Sequence, residues 1–209
     1  MQSYLTVFSE NQTEYVEKRS RFIATLRHCE TEEEVTQFLE EMRSKYWDAR
    51  HNCFAYSLKG GKLCRFSDDG EPHGTAGKPM LDVIVGSGVT DIAVVVTRYF
   101  GGVLLGTGGL VRAYSKSVQD VLQSAEVVKM VPSAVLSVCC DYTDHGKLVN
   151  LITACGGNIT DTQFTQNVTV EFCIKAEDVD GFQKKLTETF SARLKFEVIS
   201  EKLMPFKEI

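Results

Sequence analysis

The chain has no excess of positive charge. Its 23 basic and 28 acidic residues leave a formal net charge of -5 over 209 residues. That argues against a polybasic nucleic-acid binder and leaves room for a local basic patch only. No apolar run approaches the ~18–20 residues of a membrane span, so no membrane partner is expected. The start, Met1-Gln2-Ser3-Tyr4, lacks the basic residues and long apolar core of a secretory signal. None of the seven cysteines forms a C-x-x-C pair, and most sit in apolar runs. They read as reduced core thiols of a cytoplasmic protein rather than a disulfide framework or a metal knuckle.

What is present is ordinary in bulk and uneven in detail. Hydrophobic residues at 43% and charged residues at 24% exclude wholesale disorder and fibrous repeats. The length suits one large domain or two small ones. Most of the 16 glycines lie between Gly60 and Gly109, so that segment needs unusual turns or close backbone approaches. From Arg50 to Lys116 eight Lys/Arg stand against five Asp/Glu, a local cationic excess in an acidic chain. Function is therefore sought there.

The pattern before Pro132 is mixed α and β. Strands are expected over Thr13–Glu17 and Arg21–Arg27. Thr31-Glu32-Glu33-Glu34 is a capping box, and Val35, Phe38, Leu39 and Met42 follow on one helical face to about Lys45. Asn52–Leu58 and Leu63–Phe66 suggest a hairpin around Gly60-Gly61. A short helix over Ala76–Val85 tolerates Pro79 in its first turn. Ile92–Thr97 is a continuous β-branched run, hence a buried strand. A helix over Thr107–Gln123 and a strand over Val127–Val131 complete the half, with Pro132 ending that strand. After it come a strand (Ala134–Cys140), a helix (Lys147–Cys155), two strands (Asn158–Phe164, Val168–Ile174), a helix (Asp178–Phe190) and a strand (Leu194–Lys202). That order, βαββαβ, is the ferredoxin-like split unit. The expected architecture is α+β in two domains, 1–132 and 133–209.

Three segments carry chemistry. Arg50 and His51 enter a strand, where side chains reach a ligand at its mouth. The plain alternative is a strand-entry histidine with a satisfied hydrogen bond. The second segment, Arg65 to Pro79, holds Asp68, Asp69, Glu71, His73, Thr75 and Lys78 with three glycines. Its acids suit a hard cation, although the EF-hand spacing is absent. Thr75 and the glycines suit an anion at a helix N-terminus. Alternatively, Asp68 and Asp69 cap backbone donors in a structural turn.

The third segment, Val94 to Lys116, reads strand, Gly-rich loop, helix. Gly101, Gly102, Gly106, Thr107, Gly108 and Gly109 offer backbone N–H groups, while Arg98, Arg112 and Lys116 offer cations. Together they suggest a cradle for phosphate or an acidic ligand. The loop is neither a Walker loop nor a G-x-G-x-x-G dinucleotide fingerprint. Close strand–helix packing is the plain alternative. No G-x-S-x-G occurs, and Cys53 near His51 has no third partner for nucleophilic catalysis. No motif demands a metal or a cofactor, and neither is expected.

Arg19-Ser20-Arg21-Phe22-Ile23-Ala24, His51-Asn52-Cys53, the run Asp68 to Pro79, and Val96 to Gly102 with Gly106 to Tyr114 resemble the bacterial YigZ branch of the IMPACT family over essentially the full chain. The resemblance implies an N-terminal domain of the ribosomal-protein, RNase PH and small-molecule-kinase superfamily, with a left-handed βαβ crossover. It also implies a ferredoxin-like C-terminal domain similar to the last domain of elongation factor G. Eukaryotic members act by protein contact, competing for the activator of a starvation-responsive kinase that restrains translation initiation. For the bacterial branch the resemblance implies a cytosolic protein that associates with RNA, the ribosome or translation factors. His73 departs from the family pattern, where a small residue such as Ser is common. The alternatives are an enzyme acting on a small phosphate-bearing ligand, with Asp68, Asp69 or Glu71 holding Mg²⁺ or acting as base, and a pure protein-interaction module.

Overall fold

The structure, a computed structural model, describes residues 2–206. Tyr4–Lys129 form one compact unit; Met130–Phe206, with Gln2 and Ser3, form a second.

The first unit begins with β1 (Tyr4–Val7), β2 (Asn11–Glu17), β3 (Ser20–His28) and α1 (Glu32–Lys45). The expected cap is in place: Thr31 Oγ1 accepts from Glu34 N–H at 3.2 Å. The Glu34 carboxylate accepts in return from Glu30 N–H, one residue before the cap. Val35, Phe38 and Met42 form the buried stripe. β4 (His51–Leu58), β5 (Leu63–Ser67), α2 (Gly77–Ser87), β6 (Ile92–Tyr99) and α3 (Gly106–Ser124) follow. The sheet order is β2-β3-β6-β4-β5. β6 is central and its first seven residues are buried, as an unbroken apolar run requires.

α1 packs on one face of this sheet with Tyr56, Leu58, Ala93 and Val95. α2 and α3 pack on the other, with Cys53, Ala55, Val94 and Val96. This placement fixes a handedness. β3 and β4 are both antiparallel to β6 between them, so they are parallel to each other. β5 and β6 likewise flank β4. The crossovers β3-α1-β4 and β5-α2-β6 run in opposite directions from strands of opposite sense. A half-turn about the sheet normal superposes their strands but leaves their helices on opposite faces. One of the two is therefore left-handed, against the usual rule, as the family resemblance implied.

β7 (Val127–Cys140) runs from the first unit into the second without a break. The expectation that Pro132 ends a strand is corrected. Proline removes one ladder donor, but the pairing of β7 with β9 begins only at Ser133, so no bond to that neighbour is lost. α4 (Tyr142–Ala154), β8 (Asn158–Phe164), β9 (Val168–Lys175), α5 (Val179–Phe190) and β10 (Phe196–Phe206) complete the second unit. α4 starts five residues before its expected first residue, Lys147. Asp141 holds the extended N-cap conformation there, and Gly146 is accommodated inside the helix. The strand order β10-β7-β9-β8 is that of the ferredoxin-like fold. Alternate residues Leu136, Val138, Val170, Phe172 and Ile174 face α4 and α5, with Leu148, Ile152, Phe182 and Phe190 opposite. All seven cysteines are free; Cys29, Cys53, Cys140 and Cys173 are buried, whereas Cys139 is exposed and lies outside the core-thiol expectation.

Candidate functional site

The three segments singled out in the sequence converge on one end of the five-stranded sheet of the first unit. The register shows why. His51 opposes Arg98, and Arg21 opposes Tyr99. The start of β3, the start of β4 and the end of β6 therefore lie together. The loop after β5 and the loop after β6 leave from this end, and α2 and α3 both begin there.

The acidic loop is turned inward. Asp68 accepts from the N–H groups of Gly74 at 2.8 Å, Ala76 at 3.1 Å and Gly77 at 2.8 Å. It therefore closes the start of α2 from within the chain. Burial opposes its ionisation, but the N–H groups of Gly74, Gly77 and Ala76 outweigh that and hold the carboxyl below its usual range. Asp69 accepts from Asn52 N–H at 2.7 Å. His51 Nδ1–H donates to the Asp69 carbonyl at 2.9 Å. The Thr75 hydroxyl donates to Pro72 O at 2.6 Å. Lys78 pairs with Asp82 on the surface of α2, and the His73 side chain is fully exposed. For this segment the capping alternative holds, and the free cation-binding triad is corrected: these carboxylates already have donors. Among the described residues no group of three or more metal-binding side chains is found.

Glu71 joins the acidic loop to β6 and α3. It is buried, and its Oε1 accepts from Arg98 Nη1 at 2.6 Å and from the Tyr114 hydroxyl at 2.8 Å. Arg98 is only 7% exposed. Its guanidinium lies 5.5 Å from the Phe22 ring and 5.8 Å from the Phe100 ring, within cation–π range of both. Its Nε has no hydrogen-bond partner among the described residues. Arg98 is thus corrected from a surface cation to a buried ion pair that ties the acidic loop to the end of β6. Beneath it, the Cys53 thiol donates to Asp68 O at 2.9 Å, with the Tyr114 oxygen 3.3 Å from its sulfur. Burial pushes that thiol up to about 12, so it is no nucleophile at neutral pH. Burial, with Cys53 and Glu71 alongside, pushes the Tyr114 phenol far up as well, keeping it a neutral donor.

The glycine loop is turned outward. A side chain at Gly101 would collide with the Arg19 carbonyl carbon at 2.1 Å, and its N–H donates to Ser20 Oγ at 3.1 Å. Gly102 and Gly106 sit at φ 84° and 70°, the left-handed region that favours glycine. Gly101 therefore meets the close-packing requirement; the exposed Gly108 has no such cause. α3 begins with no side-chain cap and no acid in its first turn. Thr107 and Gly108 are exposed there, and Gly109 half-buried. The Arg112 guanidinium reaches back along the side of the helix to 3.7 Å from the Cβ position of Gly108, beside that first turn. Arg112 is exposed and forms no ion pair among the described residues, while Lys116 is engaged by Asp120 at 2.7 Å. The sequence reading missed the apolar rim beside it: Phe100 is 54% exposed and Leu104 82%, with Val103 between them. Their signal was apolar residues inside a glycine-rich loop too short to bury them.

A family model described as "Impact N-terminal domain" matches residues 18–122, and one described as "Domain of unknown function (DUF1949)" matches residues 138–193. The chain is 37% identical over 189 residues to "IMPACT family member YvyE" of Bacillus subtilis (strain 168), spanning 90% of this chain and 87% of the relative. It is 38% identical over 187 residues to "IMPACT family member YigZ" of Escherichia coli (strain K12), spanning 88% and 92%. A crystal structure described as that of a hypothetical protein superposes with a TM-score of 0.62 at 36% identity, covering 96% of this chain and 98% of the other. No helix among the described residues is long and apolar enough to cross a membrane.

Proposed function

This chain belongs to the IMPACT family, and from that premise we propose that it is a cytoplasmic, nucleic-acid- or ribosome-associated regulator of translation or of the stress response. Its RNA-contacting surface is the open start of α3. One observation carries the reading: Arg112 lies beside the first turn of a helix that has no side-chain cap and no acid in that turn. Such a terminus accepts a phosphate on backbone N–H groups with a guanidinium beside it. Phe100, exposed on the same loop, supplies a face on which an unpaired base stacks. That stacking face favours a single-stranded or looped RNA segment as the ligand. The kinase-like alternative loses its support, because Asp68, Asp69 and Glu71 are committed to N–H groups and to Arg98.

The test is binding of the full chain to a fluorescent oligouridine of about 20 nucleotides between about 50 and 200 mM salt. Binding that weakens steeply with salt supports the proposal. Absence of binding at the lower salt ends it. A protein partner is the second reading, favoured by an open groove of about 630 Å³ between α2 and α3 with Pro79, Val83, Val111 and Leu122 among its lining.

A further inference from the structure

The hairpin between β2 and β3 closes with only two residues, since Glu17 pairs with Ser20. Both loop residues, Lys18 and Arg19, have positive φ, 46° and 67°. That is the conformation of a type I′ turn, for which Asn-Gly is the favoured pair. A long side chain with a Cβ is strained at both positions. Local contacts give nothing back. Both side chains are exposed, and neither forms a hydrogen bond or an ion pair among the described residues. Elsewhere on the same hairpin the arginines are paired. Arg21 makes two bonds to Glu14, at 3.0 and 2.9 Å, and Arg27 is held by Glu10 and Glu41. The acid beside the turn, Glu17, accepts from the Tyr15 hydroxyl instead. Two strained positions that carry long cationic side chains without local partners among the described residues point to a role for those side chains outside the fold.

The turn's position says which role. Gly101 packs against the Arg19 carbonyl and bonds Ser20, so the turn touches the glycine loop directly. Arg50, exposed and without an ion pair among the described residues, enters β4 at the same end of the sheet. Arg112 lies beside the first turn of α3. Lys18, Arg19, Arg50 and Arg112 thus share the end of the sheet where the open helix terminus lies, in a chain of net charge -5.

We propose that the Lys18–Arg19 turn is a second phosphate-contacting element, which with Arg50 and Arg112 holds the sugar–phosphate backbone of an RNA strand whose path crosses the start of α3. The proposal rests on the RNA-binding reading above. It extends the contact from one phosphate to a track of several.

The variant K18N/R19G tests it, because Asn-Gly suits the turn and removes both charges. The probe is an oligouridine of about 20 nucleotides, and the readout is affinity against salt for the full chain. With two phosphate contacts removed, the slope of log K against log salt becomes shallower by about 1.4, and affinity at 0.1 M salt falls roughly tenfold or more. The melting temperature stays level or rises. K18Q/R19Q, which keeps two long side chains in the turn, shows the same loss. K184Q/K185Q takes two charges from α5 and leaves affinity within about twofold. Wild-type binding with an unchanged slope in K18N/R19G overturns this inference and leaves the proposed function standing. An equal loss in K184Q/K185Q also overturns it, reducing the effect to net charge. Failure of the wild type itself to bind overturns both.

Discussion

α2 and α3 begin at the same end of one sheet, and each exposes the same problem of unsatisfied N–H groups. At α2 the chain supplies its own anion: Asp68 takes three N–H groups, and the loop that carries it buries Glu71 against Arg98. At α3 the chain supplies none. The terminus stays open, Arg112 lies beside its first turn, and Phe100 and Leu104 are exposed next to it. One loop spends its charges on holding the fold; the other leaves its donors for something outside. Composition does not separate them, since both are glycine-rich loops leading into helices. What separates them is whether a carboxylate lies within reach.

Substitutions should divide accordingly, the inward loop costing stability and the outward loop costing binding. The largest effect belongs to Glu71. Glu71→Ala strands a buried guanidinium and should cost about 3–5 kcal/mol in urea unfolding, whereas E71L/R98M, which removes both charges, should recover most of it. Equal losses in the two variants would mean that the pair is incidental.

Asp68→Asn comes next, at about 1–3 kcal/mol, since the amide satisfies three N–H donors poorly. Its pH dependence follows in sign. The Asp68 carboxyl is held below its usual range in the folded chain. Its contribution is present above the unfolded value of about 4 and is lost as pH falls through the folded one. The acid limb of the melting-temperature profile should therefore be steeper in the wild type than in Asp68→Asn.

Thr107→Asp makes α3 resemble α2. An acid in that first turn should stabilise the helix by about 0.3–1 kcal/mol while weakening RNA binding. Gains in both would contradict the idea that the terminus is an open anion site. Lys78→Ala should do least: it breaks an exposed pair with Asp82 on α2, within about 0.5 kcal/mol and without effect on binding.

The elements of the fold were legible where a local signal sufficed. The β-branched run at Ile92, the box at Thr31 and the alternation along Val168–Ile174 each state their structure in a few residues. The fate of Pro132 was not legible, because it depended on where a distant strand begins to pair. In the site, the glycine loop and its helix were legible as a type. The burial of Arg98 was not: its partner lies 27 residues away in a loop, and a cation after a strand looks alike whether it meets water or Glu71. The Lys18–Arg19 turn was missed for the opposite reason. The expected strands, Thr13–Glu17 and Arg21–Arg27, left a three-residue gap where the structure has a two-residue turn, and neither Lys18 nor Arg19 is a residue that left-handed turns favour.

Arg112 is the decisive residue, an exposed cation beside the first turn of α3 with no ion pair among the described residues. The decisive comparison is the salt dependence of oligouridine binding by Arg112→Gln and by the wild type. A slope shallower by about 0.7 with an unchanged melting temperature is the predicted result. Identical slopes, or a wild type that does not bind at about 50 mM salt, would contradict it.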